Sequence, residues 1–571
     1  MLANMTGYAS IDKPWLKWHG EILQEDYAGF SNYFDYFSNV TAQYGNMRML
    51  EYVASVYTRN DLIAEAEKKA YQLARIGVCK GDIVSMMMLN VPEVIILTLA
   101  LLKIGACCNL IKYDESPERI NASINLTKSK LMFISQVPGI VQTVSTVADK
   151  NSIIQTIIEV PLAGNTSLLN SNFILYSDFF SNQNTSDGFK FEQTSPNDTA
   201  VIVYSGGTTG DAKGIEITHR NLMAMCFGLK YSNYGFTSGK SSMNILPPAV
   251  AYYLNATLGM MFCGISVMFI PYFQIEEYPL LIDKCRPDII ISGPILLKML
   301  QASSIQDFSY LTNPISGGDK LYPAEEEDIN HALAAKNCPS GVQQGYGESE
   351  VSAVATCNPV GNLVVGSIGI PMVNVTVSIF EYGTDKELKY GGNEIGEICI
   401  SGPTLMKGYY NHPDATANVL RLHSDGKYWV HTDDLGRMDA NGFIFHCGRA
   451  KRMLTRSGTK VWLSEIESAA TTLDSISECC AVKMDDSDER EVPVLHIVLK
   501  SEVETDIVAK LDTLIGEKCS NAYIPRYYVI RESIPYTETN KKMDYRKLEK
   551  EDIFDTNAYI HNGRLIQRVP R

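Results

Sequence analysis

The sequence predicts an α/β fold divided into more than one domain, on three observations. Strand-like and helix-like patterns alternate through the first two hundred residues, the rhythm of a parallel sheet with covering helices. The chain has 571 residues, too many for one hydrophobic core. The texture then changes twice: glycine-punctuated short strands begin beyond Gly391, and short strands with amphipathic helices begin beyond Gly448.

Along the chain, residues 62–73 carry a helical pattern, and Ile83-Val84-Ser85-Met86-Met87-Met88 reads as a buried strand. A helix opens at Pro92, where proline suits a first turn. It contains the strongest apolar run, 94–102, about half the length a membrane span requires. Lys103 and Gly105 close that run, so it reads as a buried helix. Leu131-Met132-Phe133-Ile134 is the next strand, and the Ser/Asn/Thr-rich stretch 165–198 reads as surface connection. A second round brings strands at Val201-Ile202-Val203-Tyr204 and Ile215-Glu216-Ile217, a helix from His219, and strands at Val267-Met268-Phe269-Ile270 and Ile289-Ile290-Ile291. Residues 396–402 belong to a small β-rich unit. Past Arg449-Ala450-Lys451-Arg452, Ser464 with Glu467 three residues on fits a capping box. A domain junction is expected here: a body at 1–448, a hinge at 449–452 and a C-terminal unit at 453–571, a plausible domain size.

Hydrophobic residues make up 45% and charged residues 20%, an ordinary globular composition. A formal charge of −15 argues against a general nucleic-acid binder. The 13 cysteines show no Cys-x-x-Cys spacing and read as reduced thiols, which with the lack of a basic–apolar leader in residues 1–17 points to a cytoplasmic protein. The nine histidines show no ligand spacing, and His446-Cys447 is a lone neighbour pair.

The most informative stretch is Tyr204-Ser205-Gly206-Gly207-Thr208-Thr209-Gly210-Asp211-Ala212-Lys213-Gly214. Glycines let successive backbone N–H groups turn toward one point, the threonine hydroxyls add donors, and Lys213 adds a mobile positive charge. Together they make a cradle for a polyphosphate. It is not a Walker loop, because Lys213 follows Ala212 and a strand comes next. A solvated hairpin turn is the plain alternative.

Three further segments bear on that choice. Gln344-Gly345-Tyr346-Gly347-Glu348-Ser349-Glu350 offers an aromatic face for a base, a hydroxyl for a phosphate and a carboxylate for Mg2+. Trp429-Val430-His431-Thr432-Asp433-Asp434-Leu435-Gly436 offers a carboxylate for a ribose diol, and Gly448-Arg449-Ala450-Lys451 lies at the junction.

In this order, from about Leu62 to Leu548, the motifs resemble those of the adenylate-forming ligase superfamily, which includes acyl-CoA synthetases. The resemblance implies a large N-terminal domain of stacked α/β sheets with a β-barrel-like subdomain, and a small mobile α+β C-terminal domain. It implies that Ser205, Gly206, Gly207, Thr208, Thr209, Gly210 and Lys213 hold the ATP phosphates, Thr208 as a catalytic contact. Ser349 then contacts the α-phosphate and Glu350 the magnesium. Tyr346, between Gly345 and Gly347, lines the adenine with Gly317, Gly318 and Asp319, while Asp434 and Arg449 bind the ribose. Lys451 takes the hinge position. The superfamily's catalytic lysine sits in Pro-x-Thr-x-x-Gly-Lys; here the text is Pro535-Tyr536-Thr537-Glu538-Thr539-Asn540-Lys541-Lys542-Met543-Asp544. Counting from Pro535 selects Lys541 and counting back from Asp544 selects Lys542; the Lys-Met-Asp order favours Lys542. Gly206 replaces a usual serine, Ala212 a proline, Ser349 a threonine and Asp433 a glycine.

The implied reaction joins a carboxylate to the α-phosphorus of ATP, releasing pyrophosphate, and then passes the acyl group to a thiol, that of CoA or of an external carrier protein, releasing AMP, with the Gly458 loop near the thiol channel. An ATP-binding regulatory protein without turnover is the non-enzymatic alternative. The acid is expected to be a fatty or other apolar one: Val250, Tyr252 and Tyr253 occupy the pocket position, and Ala249-Val250 offers no carboxylate to neutralise an ammonium.

Overall fold

The helix Pro92–Ile104 is apolar on every side, the pattern of a helix without a solvent face. A computed structural model describes residues 5–21, 25–162, 167–181, 190–204, 213–456, 459–486, 489–500, 506–536 and 543–553, with the backbone of 558–562 and 565–568. In it this helix joins a hydrophobic cluster that includes Val84 and Met86 of one sheet and Val267 and Phe269 of another. Gly105 ends the helix at φ 85°, and a Cβ there would lie 2.5 Å from Thr194 Cγ2, so the turn has no room for a side chain.

Among the described residues, an eight-stranded sheet runs in the order Gly408–Tyr409, Gly214–Thr218, Thr199–Tyr204, Cys107–Leu110, Ile83–Met87, Leu131–Ser135, Thr156–Val160, Ile174–Leu175. It is parallel from Thr199–Tyr204 outward and antiparallel at its other edge. A nine-stranded sheet carries Ser241–Asn244, Ser266–Phe269, Ile289–Ser292, Asn313–Ser316 and Gln343–Tyr346 as its parallel centre. The expected β-rich unit is a five-stranded antiparallel sheet built from Thr376–Phe380, Gly396–Ser401, Leu420–Leu422, Tyr428–Met438 and Ile444–Arg449. After Arg449 the chain makes a two-stranded ribbon, Met453–Arg456 with Thr459–Trp462, and a five-stranded sheet in the order Ile476–Asp486, Arg490–Leu499, Tyr527–Arg531, Ala558–Asn562, Leu565–Arg568. A large N-terminal α/β part and a smaller C-terminal part are thus both present.

Two expectations need correction. Ser464 and Glu467 form no capping box: the helix Leu463–Ala470 is preceded by Trp462 without a side-chain cap, and the Ser464 hydroxyl donates to Cys447 O instead. Glu467 points away from its own helix end because Arg452, Tyr322 and the Ala481 N–H all reach its carboxylate. The stretch 165–198 is also more than connection. Ile174–Leu175 extends the eight-stranded sheet, and the helix Tyr176–Ser181 buries Phe180 in a stack with Phe133 at 6.3 Å.

Helix starts elsewhere follow the sequence. Thr58 and Asp61 cap Arg59–Arg75 reciprocally, and Thr218 and Asn221 cap His219–Tyr231. All thirteen cysteines are free, and among the described residues no helix is long and apolar enough to cross a membrane.

Candidate functional site

Ser205, Gly206, Gly207, Thr208, Thr209 and Gly210 lie outside the described residues, as do Lys541, Lys542 and Gly458. The strands flanking the glycine-rich loop are described, and they pair antiparallel up to Tyr204 opposite Gly214. The loop entrance is pinned where the Tyr204 hydroxyl donates to Asn109 Oδ1 at 2.7 Å and meets Ser123 Oγ. Its exit is pinned by Gly408–Tyr409, which adds to Gly214–Thr218 as an edge strand, and by Tyr410 N donating to Gly214 O at 2.7 Å.

That edge strand brings the loop and the glutamate motif together. The Tyr409 hydroxyl donates to Glu350 Oε1 at 2.7 Å, Lys213 Nζ stands 5.4 Å from the centre of the Tyr409 ring, and Met406 N donates to Glu350 O at 2.8 Å. Glu350 follows the strand Gln343–Tyr346 in the single turn Ser349–Val351. Gly347 is required before it, since a Cβ there would fall 1.8 Å from Ala353 O. The turn is held in left-handed conformation at Ser352 (φ 60°) and Ala353 (φ 89°), a strain that clusters at functional sites.

A second constellation sits on the antiparallel sheet. Asp434 and Arg449 face each other in register, with Arg449 Nε 3.1 Å from Asp434 Oδ1. The Tyr346 hydroxyl donates to Asp434 Oδ2 at 2.9 Å, and His446 Nε2 lies 3.6 Å from Oδ1. Burial pushes the Asp434 carboxyl up, but His446, Arg449 and Tyr346 together bring it below the ordinary range. Between the two constellations lies Glu348, 4.0 Å from Arg449 Nη2. Burial, then the nearby Asp434 and Glu350 carboxylates, hold its carboxyl well above the usual range. The raised Glu348 carboxyl keeps its proton, so the negative charge here rests on Asp434 and Glu350, whose Oε1 takes the Tyr409 hydroxyl. This donor set fits a magnesium ion, which takes one or two carboxylates along with phosphate oxygens.

Gly317 follows the strand Asn313–Ser316, the parallel neighbour of Gln343–Tyr346. A Cβ on Gly317 would lie 2.6 Å from the Tyr252 hydroxyl and 3.5 Å from Gly345 O. The chain turns at Gly318 with φ 81°, and the exposed Asp319 accepts from Lys320 N at 2.9 Å. Tyr252 therefore reaches the same glycine turn as the Tyr346 motif. Val250, partly buried, precedes the short helix Ala251–Leu254. Tyr253 does not join them: it is buried against Phe269 at 6.3 Å. That helix continues through one π-helical turn, Asn255–Gly259, a feature the sequence did not announce and one that recurs near functional sites.

At the junction, Lys451 Nζ lies 3.0 Å from Asp433 Oδ2, and the Tyr382 hydroxyl donates to Asp433 Oδ1 at 3.2 Å. Asp433 adopts φ 58°. Near the C-terminus, Tyr536 and Met543 pair in an antiparallel bridge on either side of the lysine motif, and Asp544 N donates to Pro535 O at 2.8 Å. Sequence reasoning missed Tyr409, His446, Glu348 and Tyr382. Tyr409 and Tyr382 act through partners more than fifty residues away, Glu348 stood inside a motif already singled out, and His446 was noted only beside Cys447, not for the Asp434 that the hairpin sets next to it.

The AMP-binding enzyme family matches residues 37–410, and the AMP-binding enzyme C-terminal domain matches residues 465–541. A long-chain-fatty-acid–CoA ligase of Bacillus subtilis is 28% identical over 540 residues, covering 89% of this chain and 93% of the relative. A probable 4-coumarate–CoA ligase of Dictyostelium discoideum is 27% identical over 458 residues, covering 78% of this chain and 81% of the relative. Among solved structures, an anthranilate CoA ligase in complex with anthranoyl-AMP shares the fold with a TM-score of 0.78 at 19% identity, over 92% of this chain and 98% of that one. With more than half of its length matched by the first of these families, the chain belongs to the AMP-binding enzymes, the adenylate-forming ligase superfamily, and is acyl-CoA synthetase-like.

Proposed function

We propose that the chain uses ATP to activate a carboxylic acid as an acyl-adenylate, releasing pyrophosphate, and then passes the acyl group to the thiol of CoA. The observation that carries this reading is the meeting of Tyr346, Asp434 and Arg449 beside Glu350, with Lys213 and the loop exit on the far side of Tyr409. Asp434, kept ionised, accepts from the ribose hydroxyls, and Arg449 holds it in place. The face of Tyr346 and the Gly317 turn take the adenine. A magnesium ion held by Glu350 would supply charge neutralisation as the two anions approach. Lys213 adds a second positive charge on the phosphate side, and the swinging lysine, Lys542 in this reading, adds a third. A hinge at 449–452 between a body at 1–448 and a mobile part at 453–571 lets the C-terminal part close over a water-sensitive intermediate.

The acid is read as apolar, fatty or otherwise. No carboxylate stands among Leu246-Pro247-Pro248-Ala249-Val250-Ala251-Tyr252-Tyr253, so a substrate ammonium buried there would go unpaired. The relatives' names, which include a fatty acid and a coumarate, fit that choice. The test is pyrophosphate release from ATP with a panel of fatty, aryl and amino acids, with and without CoA, for the full chain and for Lys541→Ala and Lys542→Ala. Release with an apolar acid, AMP formation that needs CoA, and loss of adenylation in Lys542→Ala are expected. ATP binding without release for any acid would leave a nucleotide-binding protein without turnover. Acyl transfer to a carrier protein but not to CoA would replace the acceptor.

A further inference from the structure

Two histidines without ligand spacing in the sequence are brought together by the antiparallel sheet. His423 follows the strand Leu420–Leu422, and His431 lies on its partner Tyr428–Met438. Their Nε2 atoms stand 2.9 Å apart, and Asp385 Oδ1 lies 3.3 Å from His423 Nε2. The three donor atoms all lie within 4.8 Å of one another.

The far edge of the His431 ring is also fixed. Its Nδ1 is 2.8 Å from Glu397 Oε2, and Glu397 Oε1 accepts from Asp433 N at 3.1 Å. Contact with a carboxylate puts the ring proton on Nδ1, which leaves the Nε2 lone pair of His431 directed at His423 and Asp385. A carboxylate behind an imidazole in this way is the usual orienting partner of a metal-bound histidine. Aromatic walls hold His423: its ring lies 4.9 Å from Phe380 and 5.8 Å from Trp429.

We propose that Asp385 Oδ1, His423 Nε2 and His431 Nε2 form a binding site for a divalent transition metal of the Zn2+ type, with a fourth position left to water. Donors bonded at roughly 2.0–2.2 Å around a four-coordinate ion stand about 3.3–3.6 Å apart, so the 3.3 Å Asp385–His423 separation fits as it is and the 2.9 Å His423–His431 pair opens by a few tenths of an ångström on binding. Two imidazoles and one carboxylate select zinc-like ions over Mg2+ or Ca2+, which prefer all-oxygen sets. The ion has a way in: both histidine side chains are 2% exposed, whereas that of Asp385 is 53% exposed. The competing account is a plain hydrogen bond from His423 Nε2–H to His431 Nε2 with no ion.

The test titrates metal-stripped full-length protein with Zn2+ by calorimetry and with Co2+ by visible absorption, in excess Mg2+ so that any magnesium site is filled. One Zn2+ per chain is expected, displacing a Co2+ whose d–d bands are those of a four-coordinate nitrogen–oxygen site. His423→Gln should abolish this binding, and the exposed Asp385→Asn should weaken it at least about tenfold, with unchanged circular dichroism. Absence of saturable binding, binding that both variants retain, or a thiolate-to-Co2+ charge-transfer band would overturn the proposal. None of these readouts depends on turnover, so the result stands apart from the adenylation reading.

Discussion

The Tyr322 hydroxyl donates to Glu467 Oε2 at 2.5 Å, tying the N-terminal part to the helix Leu463–Ala470 of the C-terminal part. Glu467 is buried, which pushes its carboxyl up, but Arg452 beside it brings it below the ordinary range. Arg452 also donates to Ala481 O at 2.7 Å. Tyr322→Phe should therefore cost about 1.5–3 kcal/mol, the worth of a hydrogen bond to a charged group. Glu467→Ala should cost more, about 3–5 kcal/mol, because it strands a buried guanidinium. Urea unfolding followed by tryptophan fluorescence checks the order; equal losses would mean that the tyrosine link carries the junction by itself.

Asp434→Asn preserves the shape that Tyr346 and Arg449 surround and removes only the charge. On the proposed reading kcat/KM for ATP should fall by about 10–100-fold, mainly through KM, as expected for loss of a charge-assisted bond. ATP–pyrophosphate exchange at varied ATP measures it.

Glu350→Gln keeps an acceptor for the Tyr409 hydroxyl, so the fold should hold. Acid-dependent pyrophosphate release should nevertheless drop by about 10²–10³ and require more Mg2+ for what remains, in line with the loss of one charge-stabilising group. Chelating the metal from the unaltered protein should stop release, and adding Mg2+ back should restore it. A variant with unchanged Mg2+ dependence would remove Glu350 from the metal's surroundings.

Glu326 has a distinct pH signature. It is fully buried, and its Oε2 accepts from Gln344 Nε2 at 2.6 Å and from Gly366 N at 2.8 Å, while Oε1 has no partner. Burial outweighs those two bonds and raises the carboxyl to about 7. The unfolded chain releases this proton near pH ~4.3, so between there and about 7 the folded state holds a proton that the unfolded state lacks. Stability should fall as pH rises through that window, by something on the order of 3 kcal/mol, and level off above it. Glu326→Gln lacks this dependence, so its melting temperature should pull ahead of the unaltered protein's between pH 5 and pH 7.5. Parallel melting curves across that range would count against a raised carboxyl.

Much of the fold was legible because its signals are local. The apolar run behind Pro92, the β-strand runs at 83–88 and 131–134 and the strands around the glycine-rich loop depend on near neighbours, and each formed close to where the pattern put it. The pairing of Gly408–Tyr409 with Gly214–Thr218 was not legible, because an edge strand of two residues carries no periodicity. The hydroxyl that holds Glu350 was lost with it. The two facing histidines escaped for a similar reason: a hairpin register, not a helical or Cys-x-x-Cys spacing, sets them side by side. At Ser464 the local capping pattern was present, but a carbonyl from the neighbouring strand outcompeted the helix end for the hydroxyl.

Asp433 stands where the resemblance expects glycine, in a left-handed conformation that costs a side-chain-bearing residue about 1–2 kcal/mol. Its carboxylate lies 3.0 Å from Lys451 Nζ in a contact open to water. Any swivel of the C-terminal part about Lys451 must first shed this ion pair, which dissolved ions weaken. If the C-terminal part turns at 449–452 as proposed, the bathing electrolyte would tune how readily it does so, through a residue that touches neither acid nor thiol.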